Sequence, residues 1–454
     1  VNYNTYVTGK WHLGSDDKTL PTKRGFDRSY VLGGSGASNY DSRGYLPQRP
    51  DGHWYADGKE VTLPEDFYSS KTYIDKTISF HEEEQNKENP FFSYIAFQAI
   101  HTPVQAPKEF VDHYLDVYAI GWDELRKRRF AKAKELGIIP EGAQLNANIP
   151  PAKQWDNLSE KKQQQYITSM AVSAGMIEAM DFHIGRYVEY LTQEGLLENT
   201  IFIITSDNGP DGGDYSVGVP WAIKHGFHRN FEKNGGKGYY GFIGTGFANA
   251  AASPFSFFKY YSGEGGLRVP FIINGKNIAN TTSNEFSFFT DIAPTIYDMV
   301  GISTSANEGF APVTGKSLIP HINDPNHPVY AENEGVGLEA AGNCAYFMDG
   351  YKIVKNNLPA GDTTWHLYHI ESDPGEVVDL AEQESEQFEI MLAAYAQYES
   401  EVGVLKMPLG YSAQDFVRKI ATISILKEFL PWLLGFLVGT LLLIRFAIRK
   451  LRRA

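Results

Sequence analysis

Cysteine is almost missing from this sequence: Cys344 is the only one in 454 residues. That excludes an internal disulfide, a CxxC redox pair and a thiolate-rich metal site, and it leaves the redox compartment open. Basic clusters are scarce before residue 418. The formal charge is −14, yet residues 418–454 carry eight Lys and Arg against Glu428 alone, a net of +7, which leaves −21 on residues 1–417. A body that acidic has no footprint for nucleic acid, and an anionic ligand would need a few cations gathered in one place. Internal repeats are not visible, nor is a secretory leader, and the first residue is Val rather than Met.

Long apolar runs are also absent, with one exception. Residues 429–444 are free of charge, and counting on to Ile448, with Arg445 snorkelling, gives about 30 Å of helix at roughly 1.5 Å per residue. A membrane span is expected there. Arg445, Arg449, Lys450, Arg452 and Arg453 follow it and place the C-terminus in the cytoplasm, with the body in the periplasm or exterior. An exported body needs a leader, so an N-terminal segment is expected to be missing.

The composition, 42% apolar and 14% aromatic, is enough for a large core. Apolar runs at 91–97 and 200–204 read as buried strands, followed by His101-Thr102-Pro103 and Ser206-Asp207-Asn208-Gly209. In a doubly wound sheet such junctions meet beyond the strands' carboxyl ends. A strand at 268–273 is expected in the same sheet. Ser159 is a good N-cap, and Met170, Ala174, Ile177, Met180, Ile184, Val188 and Leu191 recur at helical spacing as a core-facing stripe ended by Gly195. Residues 112–154 read as a surface excursion and 209–254, dense in Gly and aromatics, as a lid. Further on, 345–354 reads as a hairpin turning at Asp349-Gly350, with a strand at 365–370 and a helix bearing Phe388, Leu392, Tyr395 and Tyr398.

The chemistry concentrates in short blocks. Lys10 and His12 stand on VTGKWHLG with glycines on both sides, a cradle for a tetrahedral anion. Two near-motifs fail: HEEEQ at 81–85 lacks the second His of HExxH, and GTGFAN at 244–249 stops short of a dinucleotide fingerprint. The blocks NYNTYVTGKWHLG (2–14), RGFD (24–27), IHTPVQAP (100–107), NTIFIITSDNGP (199–210), FFKYYSGEGGLRVPFI (257–272), TDIAPTIYDMVGI (290–302) and LYHIESDPGEVVDLA (367–381) occur in order. With them the chain resembles a sulfatase of the alkaline phosphatase superfamily, nearest in pattern to bacterial arylsulfatases.

The resemblance implies an α/β fold, an alkaline-phosphatase-like sulfatase sheet flanked by helices (1–305); the patterns read above add a smaller C-terminal α+β domain (306–411), a juxtamembrane linker (412–428), one transmembrane helix (429–448) and a basic tail (449–454). It implies hydrolysis of aryl or carbohydrate sulfate monoesters. Lys10 and His12 would contact sulfate and nucleophile, His101 would help protonate the leaving oxygen, and Lys259 would hold a sulfate oxygen. Asp207 and Asn208 would be metal ligands; their hard oxygens suit Ca²⁺, or Mg²⁺, over zinc. Family members use a formylglycine made from Cys or Ser in Cys/Ser-x-Pro/Ala-x-Arg, and an Asp-Asp pair upstream of GKWHLG. Neither is found in that position here, and Cys344, in NCAYF, reads as a buried structural thiol. The expectation is therefore a fragment without its nucleophile. Two other readings share these residues: a phosphonate or phosphate monoester hydrolase of the same superfamily, and a non-catalytic, membrane-tethered binder of sulfated glycans.

Overall fold

The structure is a computed structural model and describes residues 2–147, 152–213, 215–233, 235–303, 311–408 and 410–452. Its central strand is β1 (Asn4–Lys10), where Tyr6, Val7 and Thr8 are all buried, as a strand covered on both faces requires. β2 (Arg28–Leu32) runs parallel to it on one side. A short hairpin of β3 (Arg43–Leu46) and β4 (Arg49–Asp51) stands apart, while β5 (Trp54–Ala56) and β6 (Lys59–Val61) extend the sheet antiparallel beyond β2. β7 (Phe91–Ala96) pairs parallel on the other side of β1, giving the order β6-β5-β2-β1-β7. Gly9, with φ +112°, faces Ala96; a Cβ there would lie 2.0 Å from the Ala96 carbonyl oxygen, so only glycine lets these strands close.

α1 (Ser69–Glu83) covers one face, packing Tyr73 and Phe80 on Tyr6, Tyr30 and Trp54. α2 (Lys108–Val111), α3 (Gly121–Glu135) and the long α4 (Glu160–Gln193) follow. Ser159 is the N-cap residue of α4 as expected, but its side chain makes no capping bond. The buried stripe differs from the expected one. It runs through Ile167, Ala171, Gly175, Ala179, His183, Tyr187 and Leu191, while Ile177 is exposed. Small and amphipathic residues, which hydrophobicity alone undervalues, form much of the buried face.

Two further expectations are corrected. Residues 112–147 are not only a surface excursion: many are exposed, but Trp122 of α3 meets Trp155 and Phe247 in the core. The described part of 209–254 is not a lid over the core but part of it: Trp221 of α5 (Val219–Lys224), Phe247 of α6 (Gly244–Ala252), and Phe227 and Tyr240 between the two helices are all buried. Aromatics spaced by glycine here fill a core. α7 (Glu264–Leu267) is a single turn before the next strand.

The strands at the second junction also differ from expectation. β8 (Phe202–Thr205) and β9 (Phe271–Asn274) pair with each other, antiparallel, and by hydrogen bonding do not join the five-stranded sheet. β7 and β8 pack on the same face of α4, sharing a cluster with Tyr187 and Leu191, without bonding to each other. Tyr94 of β7 and Ile204 of β8 are 47% and 45% exposed.

α8 (Ile292–Met299) and α9 (Ile319–Asn323) lead to a four-stranded antiparallel sheet of β10 (Val336–Ala340), β11 (Asn343–Met348), β12 (Tyr351–Lys355) and β13 (His366–His369). The β11–β12 turn is Asp349-Gly350, both at positive φ, as the tight hairpin demands. α10 (Ser385–Val402) lays Phe388, Leu392, Tyr395 and Tyr398 on this sheet, and Cys344 is buried beneath them. α11 (Ala413–Leu451) is one continuous helix. The stretch 412–428 is therefore no linker: Ile425 and Phe429 pack against the Trp221 cluster, and Glu428 meets Lys224 Nζ at 2.5 Å and His225 Nε2 at 2.9 Å. Beyond Phe429 the helix is apolar and exposed.

Candidate active site

Three strand ends and one loop converge. β1 ends at Lys10, and the Trp11 N–H bonds the Leu32 carbonyl at 2.9 Å, which turns the chain so that His12, at φ +55°, follows. β7 leads to His101 and β8 to Asp207. The loop between α6 and α7 brings Lys259, and it is stitched to the Asp207 turn: the Lys259 N–H bonds the Pro210 carbonyl at 3.1 Å, and the Gly209 N–H bonds the Gly266 carbonyl at 2.9 Å. Gly209 has to be glycine, since a Cβ would lie 1.9 Å from the Gly265 oxygen.

Lys259 Nζ lies 3.1 Å from His101 Nε2, and His101 Nδ1 lies 2.8 Å from the Thr102 carbonyl oxygen. A carbonyl only accepts, so Nδ1 carries the proton and Nε2 accepts from the Lys259 ammonium. Burial, then the Lys259 charge, push His101 down to about 4, so the imidazole is neutral at pH 7. Burial lowers Lys10 and His12 as well. Lys259 adds to this for Lys10; for His12 the next contributions come from Lys10, Arg49 and Lys259. Asp207 opposes both shifts. Lys10, His12 and Lys259 thus share one electrostatic field with Asp207, which His101 joins through Lys259 and Lys10, and an added anion relieves the repulsion among the cations.

Of the six residues singled out from the sequence, Lys10, His12, His101, Lys259 and Asp207 share this field. Asn208 is next in the chain, and its carbonyl accepts from the Ser206 hydroxyl. Three participants were not foreseen. Arg49 comes from the β3–β4 hairpin, Tyr45 packs edge-on against His101, and Asp211 accepts from the Tyr215 hydroxyl at 2.7 Å while its charge reaches His101. Only Asp211 had a local signal, an acid four residues after Asp207.

Asp207 and Asn208 offer hard oxygens, which fit Ca²⁺ or Mg²⁺ in kind. They do not fit in number. Among the described residues no group of three or more His, Cys, Asp or Glu converges to hold a metal. An Asp-Asp pair does occur at Asp16-Asp17, but Asp16 accepts from the Lys18 N–H and the Thr19 hydroxyl and closes its own turn.

A sequence model described as Sulfatase matches residues 2–302. An uncharacterized sulfatase of Schizosaccharomyces pombe is 31% identical over 91% of this chain and 78% of its own length. An arylsulfatase of Klebsiella aerogenes is 34% identical over 70% of each chain. Among solved structures, Ps i-CgsB in complex with k-i-k-neocarrahexaose superposes with a TM-score of 0.60 at 22% identity, over 92% of this chain and 76% of that one. A protein in complex with its substrate D-glucosamine-2-N,6-O-disulfate superposes at 0.53 and 18% identity, over 88% and 79%. At these identities the structures establish the α/β fold.

Proposed function

We propose that this chain, which belongs to the sulfatase family, is the body of a hydrolase of sulfate monoesters, aryl or carbohydrate. The observation that carries the reading is the Lys259–His101 contact at 3.1 Å inside the field of Lys10 and His12. A sulfate ester gains negative charge on its oxygens as the ester bond breaks, and fixed cations placed there stabilise that charge. Lys10 and Lys259 would hold the sulfate oxygens. His101 would help protonate the leaving oxygen by directing a donor: its neutral Nε2 accepts from the Lys259 ammonium and holds that proton-bearing group where a leaving oxygen can take a proton from it.

A divalent cation, Ca²⁺ in our reading with Mg²⁺ as the alternative, would be held in part by Asp207 and Asn208 and would supply Lewis acidity. The formylglycine of the family has no source here, because none of the 454 residues forms Cys/Ser-x-Pro/Ala-x-Arg and Cys344 is buried in the small sheet. The 454 residues alone are therefore expected to give no turnover of nitrophenyl sulfate. Turnover that disappears in Cys344→Ala would refute this account of the site. Binding of a sulfated oligosaccharide without turnover, even when a formylglycine-bearing segment is supplied, would favour the non-catalytic binder instead.

We also place α11 in a membrane, with the body outside the cytoplasm. Its length, its apolar surface and the basic residues after Ile444 support that placement.

A further inference from the structure

We propose that the small C-terminal sheet holds Lys259 in the site, with Glu376, Lys352, Asn343 and Asn356 as positioning residues for the 256–266 loop. This rests on the sulfatase reading only for what Lys259 does there.

The loop is held in a conformation it would not keep by itself. Phe257 and Tyr260, on either side of Phe258-Lys259, have φ of +63° and +83°, a region that side chains with a Cβ avoid. Something outside the loop has to over-determine that shape; besides the two backbone bonds to the Asp207 turn, at Lys259 and Gly266, the bonds that do so come from the small sheet or the turn after it. The Ser256 hydroxyl donates to Glu376 Oε2, which also accepts from the Glu264 N–H at 3.0 Å. Lys352, on β12, donates to Glu264 Oε1 at 2.9 Å and to Glu376 Oε1 at 2.8 Å. Asn356 Oδ1 accepts from the Ser262 N–H at 2.7 Å, and Asn343 Nδ2 donates to the Tyr260 carbonyl at 2.7 Å. Both ends of the loop and its middle are thus anchored, while the Gly265 N–H closes it on the Ser256 carbonyl at 2.7 Å.

The ionic part of this clamp is fully enclosed: Lys352 is 0% exposed, and Glu264 and Glu376 are buried. Burying a cation between two carboxylates is a poor source of stability, since well-packed apolar side chains do as well or better. What it offers is direction. Glu376 Oε2 fixes two atoms of the loop, Ser256 Oγ and the Glu264 nitrogen, while Lys352 ties Glu376 Oε1 to Glu264 Oε1, and the outcome is a lysine ammonium 3.1 Å from His101 Nε2.

The test uses the full chain and two readouts, the titration of His101 by NMR and the binding of inorganic sulfate by calorimetry. The charged groups facing His101 are Lys259, Lys10 and Asp211, with Tyr45 against its ring. Lys259→Met should raise the His101 pKa from about 4 and weaken sulfate binding on the order of tenfold. Glu376→Gln and Asn356→Ala should shift both readouts in the same direction, and should add nothing further in the Lys259→Met background. Asn356→Asp, which keeps the acceptor for the Ser262 N–H, should restore both. A folded Asn356→Ala or Glu376→Gln protein whose His101 titrates as in the parent overturns the proposal, whatever its melting temperature. If Glu376→Gln does not fold, the Asn356 pair decides. Absence of sulfate binding in the parent chain, with the His101 shifts intact, would instead count against the sulfatase reading alone.

Discussion

His81, buried against Phe91, donates to or accepts from the Tyr187 hydroxyl at 2.8 Å, and its burial pushes it down to about 4. His183 and His101 are pushed to about 4 as well, each by burial first. An unfolded chain takes up these protons below about pH 6.5, whereas the folded one does so only near 4, so stability is lost as the pH falls across that window. Burial moves Glu376 up, which works in the opposite direction, so a single substitution isolates the effect. His81→Gln should flatten the fall of melting temperature between pH 6.5 and 4, removing on the order of 2–3 kcal/mol of pH dependence. An unchanged slope would show that His81 titrates normally. At this scale the site was legible where chemistry sits in contiguous blocks, as for Lys10, His12, His101, Asp207 and Lys259. Arg49 and Tyr45 were not, because only the β3–β4 hairpin brings them to residues far away in the chain.

Helices make a similar distinction between a residue's type and its bonds. Ser159 and Ser412 stand at the N-caps of α4 and α11, but only the Ser412 hydroxyl accepts a bond, from the Asp415 N–H at 3.2 Å. Ser412→Ala should therefore cost about 1 kcal/mol of local stability, and Ser159→Ala less than about 0.5 kcal/mol. Hydrogen exchange of the first turn of each helix measures the difference, and equal losses would contradict it. The hairpin at Asp349-Gly350 and the α10 stripe could be read directly, because turn chemistry and period are local signals. The separation of β8 and β9 from the main sheet could not. Strand partners are chosen by distant segments, and an apolar run of four residues looks the same in either arrangement. Residues 209–254 misled for a related reason: glycine and aromatics suit a loop as well as a closely packed core, and only their burial tells the two apart.

Over the whole molecule, charge is divided between a body of −21 and a tail of +7. The proposed membrane placement of α11 predicts that the full chain needs detergent and that removing residues 430–454 gives a soluble body with its folding intact, since Ile425, Glu428 and Phe429 stay behind in their contacts. Release of the full chain by carbonate alone would show α11 lying on a surface instead. Pro431, inside α11, has no N–H for the Lys427 carbonyl, and its ring crowds the turn before it. It comes two residues after Phe429, which packs on the Trp221 cluster. The turn it weakens, from Lys427 to Pro431, is the one that carries Glu428 and Phe429, so α11 is held to the body by side chains at the very turn where its own backbone bonding is weakest.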